Sequence, residues 1–369
     1  MANQIFLSTP KELTLRISDQ PGSHFPFDLL PVALFKKIIE SLHLSANMPL
    51  HSTCKFFKDR ICFSKEPTFC VHAAGTNSLA LVQWGRALGY PLSASVCEQA
   101  GSHGNFEMLK WVHGQGVTDC GAVTSWAASN GHFQFIKDCP QLRVRFSPMT
   151  THYVAKSGDL EMLMWLRTAG SPFNVETCKG AAIGGHLNVL QWLRSESVDC
   201  PWDQFTCAHA AEEGHLELLK WAIDQEAPHG DGLCLFAARN NQRKILEYVI
   251  PLGADLKFAC TGAVEGGHLD LLQWLKLEKN APMDTNVCEE AARRNNLPML
   301  AWILHEGVGE GNCFTIATAR GYLPILQWAA KNNRELKIFE LIATAFNYKQ
   351  GHIIEWLGEL VKKKQVVIS

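Results

Sequence analysis

The sequence has none of the short motifs that announce chemistry. It contains no Cys-x-x-Cys, no His-Glu-x-x-His and no Gly-x-Ser-x-Gly. Its glycine cluster Gly307-Val308-Gly309-Glu310-Gly311 has no strand pattern before it, which a phosphate-binding loop requires. No catalytic group, metal or cofactor is therefore expected. An excess of one charge is also missing: 34 Lys and Arg face 36 Asp and Glu, a net −2. That balance gives no global attraction to nucleic acid or to an anionic membrane, so neither is expected as a partner. No run reaches the roughly 18 apolar residues that span a bilayer. The opening MANQIFLSTPKELTLRISDQPG lacks a basic stretch followed by an apolar core, and Asn-X-Ser/Thr is absent. An intracellular location, cytoplasmic or nuclear, is the expectation.

Cysteine, by contrast, is plentiful at 13 residues. Seven of them (Cys70, Cys97, Cys178, Cys207, Cys234, Cys260 and Cys288) share one phase of a repeat. Equivalent residues in stacked helical layers lie about 8–10 Å apart, beyond the roughly 7 Å a disulfide tolerates. They read as small buried apolar residues in a reducing compartment.

The repeat organises the chain. GHLNVLQWL at Gly185–Leu193 returns as GHLELLKWA at Gly214–Ala222, GHLDLLQWL at Gly267–Leu275, GYLPILQWA at Gly321–Ala329 and GNFEMLKWV at Gly104–Val112. The spacing is about 27 residues, which means stacked supersecondary units. Seven residues before each of the first ten Trp positions stands Gly or Asn, the residues that enter left-handed backbone most cheaply. The next residue is often an N-cap type, and Pro298 and Pro324 fall in the first turn of the second helix of their units. An alanine doublet such as Ala181-Ala182 precedes the turn, and a proline such as Pro172 or Pro201 precedes the cysteine. Each unit reads as turn, short helix, tight turn, longer helix, and a row of units buries what one alone cannot. The fold class is all-α, a helical repeat solenoid. In the third unit, Pro140 predicts an early end to the second helix.

These residues resemble the ankyrin repeat, in its short, Trp-bearing form similar to those of giant DNA viruses and protists. The shared pattern is two alanines, a short gap, Gly-His-Leu and an apolar helix. The Thr-Pro-Leu-His opening is replaced by Glu176-Thr177-Cys178-Lys179, and the shorter period leaves a short β-hairpin finger or none. Residues 25–60 are different: Leu30-Pro31 opens an amphipathic helix with Leu34, Ile38, Ile39 and Leu42 on one face. This segment resembles the F-box. The resemblance implies that Leu30, Pro31, Leu34, Ile38 and Leu42 bind the adaptor subunit of a cullin-based ubiquitin ligase, while the repeats present a protein target. The other reading of the same helices is a cap over the first repeat.

The expected organisation is a flexible lead over 1–24, an F-box-like module over 25–62, the repeat array over 63–336, and a degenerate capping unit with a basic tail over 337–369. A monomer that binds proteins and catalyses nothing is expected. Target-binding residues are sought where the repeats differ from one another. The position five before the Gly/Asn turn varies most, and by the ankyrin resemblance it lines the concave face. Trp126, Tyr153, His209, Phe236 and Glu290 occupy it, with Lys179 one residue upstream in its own unit and Trp202 in a turn. Aromatic anchors of this kind dominate interface energetics, although the same residues could fill gaps between helices.

Overall fold

A computed structural model describes residues 68–87, 89–230 and 232–368, with side chains after Lys362 excepted. Leu30, Pro31, Leu34, Ile38 and Leu42 lie outside the described residues. Two compact units divide at Pro91. In the first, α1 (Phe69–Gly75) pairs with α2 (Leu79–Ala87). The second, from Leu92 onward, contains the pairs α3 (Ala94–Ser102) and α4 (Phe106–Gly114), α5 (Val123–Ser129) and α6 (Phe133–Asp138), α7 (Pro148–Ser157) and α8 (Leu160–Thr168), and α9 (Val175–Gly184) and α10 (Leu187–Leu193). It continues with α11 (Gln204–Glu213) and α12 (Leu216–Asp224), α13 (Gly232–Arg239) and α14 (Arg243–Val249), and α15 (Leu256–Gly266) and α16 (Leu269–Leu277). The last pairs are α17 (Thr285–Arg293) and α18 (Leu297–His305), α19 (Cys313–Arg320) and α20 (Leu323–Lys331), and α21 (Ile338–Asn347) and α22 (Gly351–Ile368). No strand occurs among the described residues.

The alanine doublet, the turn glycine and the residue after it form one device. In the fifth unit the His186 amide donates to Ala181 O at 3.0 Å, while Gly185 holds φ at 74°. Equivalent bonds run from His215 to Ala210, Gln242 to Ala237, His268 to Ala263, Asn296 to Ala291 and Tyr322 to Ala317. This is a helix C-cap in which the residue past the left-handed one closes onto the last turn. Where asparagine replaces glycine, at Asn77, Asn241 and Asn295, φ stays positive at 56–58°.

Several residues after the turn are N-cap types, and four cap their own second helix. Ser78, Asn105, Asp159 and Asn296 accept from the amides of Leu81, Met108, Met162 and Met299. The histidines do something else. His132, His186, His215 and His268 place Nε2 against the carbonyls of Ser102, Lys156, Ile183 and Arg239, at 2.9–3.2 Å, in the preceding unit. Gln242 and Gln350 make the same tie to Glu212 and Ala319. Each acceptor is an orphan carbonyl in the last turn of a first helix, so the tie meets an obligation the helix end creates. The ring then lies over the neighbouring turn glycine. A Cβ on Gly158 would come within 2.5 Å of His186, and one on Gly185 within 2.4 Å of His215.

From α3 onward, first helices of successive repeats pack directly on one another, most closely α7 with α9 and α13 with α15. Glycine permits this. A Cβ on Gly180 would lie 2.2 Å from His152 O, and one on Gly184 2.3 Å from Lys156 O. Gly262 and Gly266 stand in the same relation to Leu235 O and Arg239 O, at 2.2 and 2.1 Å. Between these helices the cysteines are buried, and Thr151 and Thr177 share a hydroxyl hydrogen bond of 2.9 Å.

The second helix of the third unit is short as expected: α6 ends at Asp138 in a 3-10 turn over Cys139–Leu142. Pro251 produces the same stop after α14, which the repeat pattern alone did not single out.

Candidate binding face

Along each first helix the core takes the cysteine and alanine positions. The residues nine, five and two before the turn are left on the opposite side. Trp126 stands there on α5, 48% exposed. Tyr153 is half-buried on α7, edge-on to His152 at 5.1 Å. His209 on α11 has Nδ1 3.2 Å from Glu212 Oε2. Phe236 on α13 is half-buried, with the Arg239 guanidinium 5.3 Å from its ring centre.

Two of the expected anchors are committed to neighbours. Lys179 reaches Glu176 Oε1 at 2.9 Å and Asp203 Oδ2 at 3.2 Å, and its Nζ lies 5.1 Å over the Phe205 ring. Burial opposes its charge, but the hydrogen bonds with Glu176 and Asp203 outweigh that and hold its pKa above the ordinary lysine value. Glu290 on α17 receives Arg294 Nε at 2.7 Å and a bond from Arg293. Burial raises its pKa, yet the two guanidiniums outweigh it and keep the carboxyl below the ordinary range.

Trp202 does not stand on a first helix. It lies in the turn before α11, with the Arg194 guanidinium 4.6 Å from its ring centre and Trp221 edge-on at 6.0 Å. The arrangement repeats: Phe173 meets Arg167 and Trp192, and Phe146 meets Trp165. An aromatic 19 residues before the Trp position therefore packs on that Trp, and in two of these three units an arginine of the preceding unit covers it. Trp202 belongs to this ladder between units.

The most variable position is also not uniformly free. At Gly180 and Gly262 it faces the preceding first helix rather than solvent. Two exposed aromatics were missed by the sequence reading: Phe205 at 42% and Phe258 at 39%. Each sits four residues before the variable position, on the same helix face. Extending the comparison by one turn would have found them. Charges around them are paired across units, with Arg239 on Glu265 and Lys257 Nζ on Asp284 Oδ2 at 2.8 Å. Among the described residues no cluster of three or more His, Cys, Asp or Glu could hold a metal, and no helix is long and apolar enough to cross a membrane.

No protein-family model matches the chain, and no curated protein matches it. Among solved structures it is similar to the pentatricopeptide repeat protein PPR10 in complex with an 18-nucleotide psaJ RNA element, with 13% identity and a TM-score of 0.40. A triple Cys-to-Ser form of that protein with the same RNA gives the same values. PPR10 from maize gives 14% and 0.34. Each match covers 88% of this chain, and the chain spans 58% of the length of those proteins. One expectation is corrected here. Nucleic acid was excluded on net charge, yet two of these helical-repeat structures are RNA complexes. Net charge is a property of the whole chain, whereas a stacked array binds through one face, so the exclusion does not stand. Over its described residues the chain is an all-α helical repeat solenoid.

Proposed function

We propose that the chain is a non-catalytic, ankyrin-like binding scaffold whose first-helix face holds a protein partner. The observation that supports this is the set of exposed aromatics Trp126, Phe205 and Phe258 on one helix face, bordered by ion pairs. Large apolar side chains with a polar surround suit a protein interface. The ankyrin-like reading is supported by the alanine doublet, glycine and histidine acting together in one turn and one tie between units. The segment over 25–62 extends the proposal: its Leu30-Pro31 opening and apolar face suit an F-box-like contact with a ligase adaptor, making the chain a substrate receptor.

The test is binding of the full chain to purified ligase adaptor subunit by calorimetry, beside a Leu30→Ala, Pro31→Ala, Leu34→Ala variant checked by circular dichroism. Saturable binding lost in the folded variant is the expected result. Absence of binding by the intact chain removes the receptor reading and leaves a scaffold whose N-terminal helices cap the array. Single-stranded RNA titrated against the chain and a Trp126→Ala, Phe205→Ala variant forms the second arm. Tight RNA binding lost in that variant overturns the protein reading of the face.

A further inference from the structure

Helix α21 and the residue just past it carry the most exposed aromatic side chains of the described residues. Phe339 is 87% and Phe346 74% exposed, and Tyr348, just past the helix, is 62% exposed. Phe339, Ala343 and Phe346 are spaced four and three apart, so they form one stripe. The stripe lies on a docking face. Three residues before the turn, where α21 has Phe346, the inner units carry buried alanines such as Ala211, Ala238 and Ala292. Ala238 touches Gly262 of the following first helix. A phenylalanine there cannot accept a neighbour at glycine–alanine separation, so a further unit of the same kind does not fit.

A second copy does fit. The helix runs Ile338–Asn347, and the stripe is symmetric about its midpoint, aromatic at both ends and small in the middle. Reversed against itself, it puts Phe339 opposite Phe346 and Ala343 beside the axis. Phe346 of the second copy then meets the shallow hollow lined by Leu336, Ile338 and Phe339. Charge selects the same orientation. Lys337 and Glu340, paired within the chain at 3.8 Å, would each meet their own kind in a parallel pair. In the antiparallel pair Lys337 falls near Tyr348 and Glu340 near Ala345, and the helix dipoles oppose.

We propose that α21 is a homodimer interface, two copies pairing antiparallel with Phe339 of each against Phe346 of the other. Three aromatics covering roughly 150–250 Å² each give about 670–1,100 Å² in total over the two copies at their observed exposures, below the usual span of stable interfaces and in the range of weak, transient ones. The dimer is accordingly weak, with a dissociation constant in the micromolar range.

The experiment is sedimentation velocity on the full chain from about 1 to about 200 µM, which brackets such an affinity. Expected is a shift from 41.0 kDa toward twice that mass. Phe339→Glu and Phe346→Lys should each remain monomeric with an unchanged circular dichroism spectrum, because both sites are exposed. Mixed together, the two variants should recover a dimer, since the antiparallel register sets the new acid against the new base. A chain monomeric throughout, or a dimer indifferent to Phe339→Glu, overturns the proposal. Failure of the mixture to exceed either variant alone overturns the register.

Discussion

Replacing Gly180 by alanine sets two physical effects against each other. Alanine is the better helix former by about 1 kcal/mol, so propensity alone predicts stabilisation of α9. The close approach predicts the reverse. The new Cβ would sit 2.2 Å from His152 O and 3.0 Å from His152 C, both backbone atoms of α7 that no rotamer change can move. Relief requires α9 to retreat by about 1 Å, a shift that forfeits much of the dispersion contact between the helices. It also stretches the 2.9 Å Thr151–Thr177 bond and the 2.8 Å contact from His152 Nδ1 to Glu176 O. Overpacking of this kind costs about 1–3 kcal/mol, so after the propensity gain the variant should be less stable by up to about 2 kcal/mol. Gly358→Ala is the control: it lies within α22 with nothing within 4 Å of the new atom, and should be neutral or stabilising. Urea titration followed by circular dichroism compares the two. Hydrogen exchange over α7 and α9 localises the effect, because a repeat array can open in parts. Gly180→Ala as stable as Gly358→Ala would refute the close-packing argument.

Further outcomes rest on the same contacts. His215→Gln should be nearly neutral, because Gln242 and Gln350 already make the tie between units. His215→Ala should cost about 0.5–1.5 kcal/mol by denaturant titration. Arg194→Ala uncovers the Trp202 ring and should both destabilise by about 0.5–2 kcal/mol and red-shift tryptophan emission. The folded-state pKa of Glu290 is depressed, so its contribution is present at neutral pH and fades as pH falls from about 4.3 through the lower folded value. Glu290→Gln should reduce the difference between urea midpoints at pH 7 and about pH 3. Burial pushes the thiols of Cys207, Cys260 and Cys288 up to about 12, so a thiolate-directed reagent at about pH 8 should leave them unmodified until urea unfolds the chain; mass spectrometry reads this out.

Local features of the sequence made the helix pairs legible. Gly or Asn at the turn, alanines before it and apolar spacing after it are short-range signals, and backbone sterics alone interpret them. Pro140 marked its own helix stop for the same reason. The binding face was less legible. The comparison of units rested on the assumption that a position free to vary faces outward. Gly180 and Gly262 vary because glycine there admits a neighbouring helix, and Trp202 holds a recurring aromatic position whose partners are Trp221 and Arg194. Phe205 and Phe258 escaped because the phase was read one helical turn too narrowly.

By itself the sequence determined that this chain is a row of paired helices with a fixed period and a buried thiol in nearly every unit, because those properties depend on contacts a few residues apart. Only the tertiary structure decided which side chains remain available. Whether an aromatic is a ladder rung or an open surface depends on atoms of a neighbouring unit, which no pattern within one unit encodes.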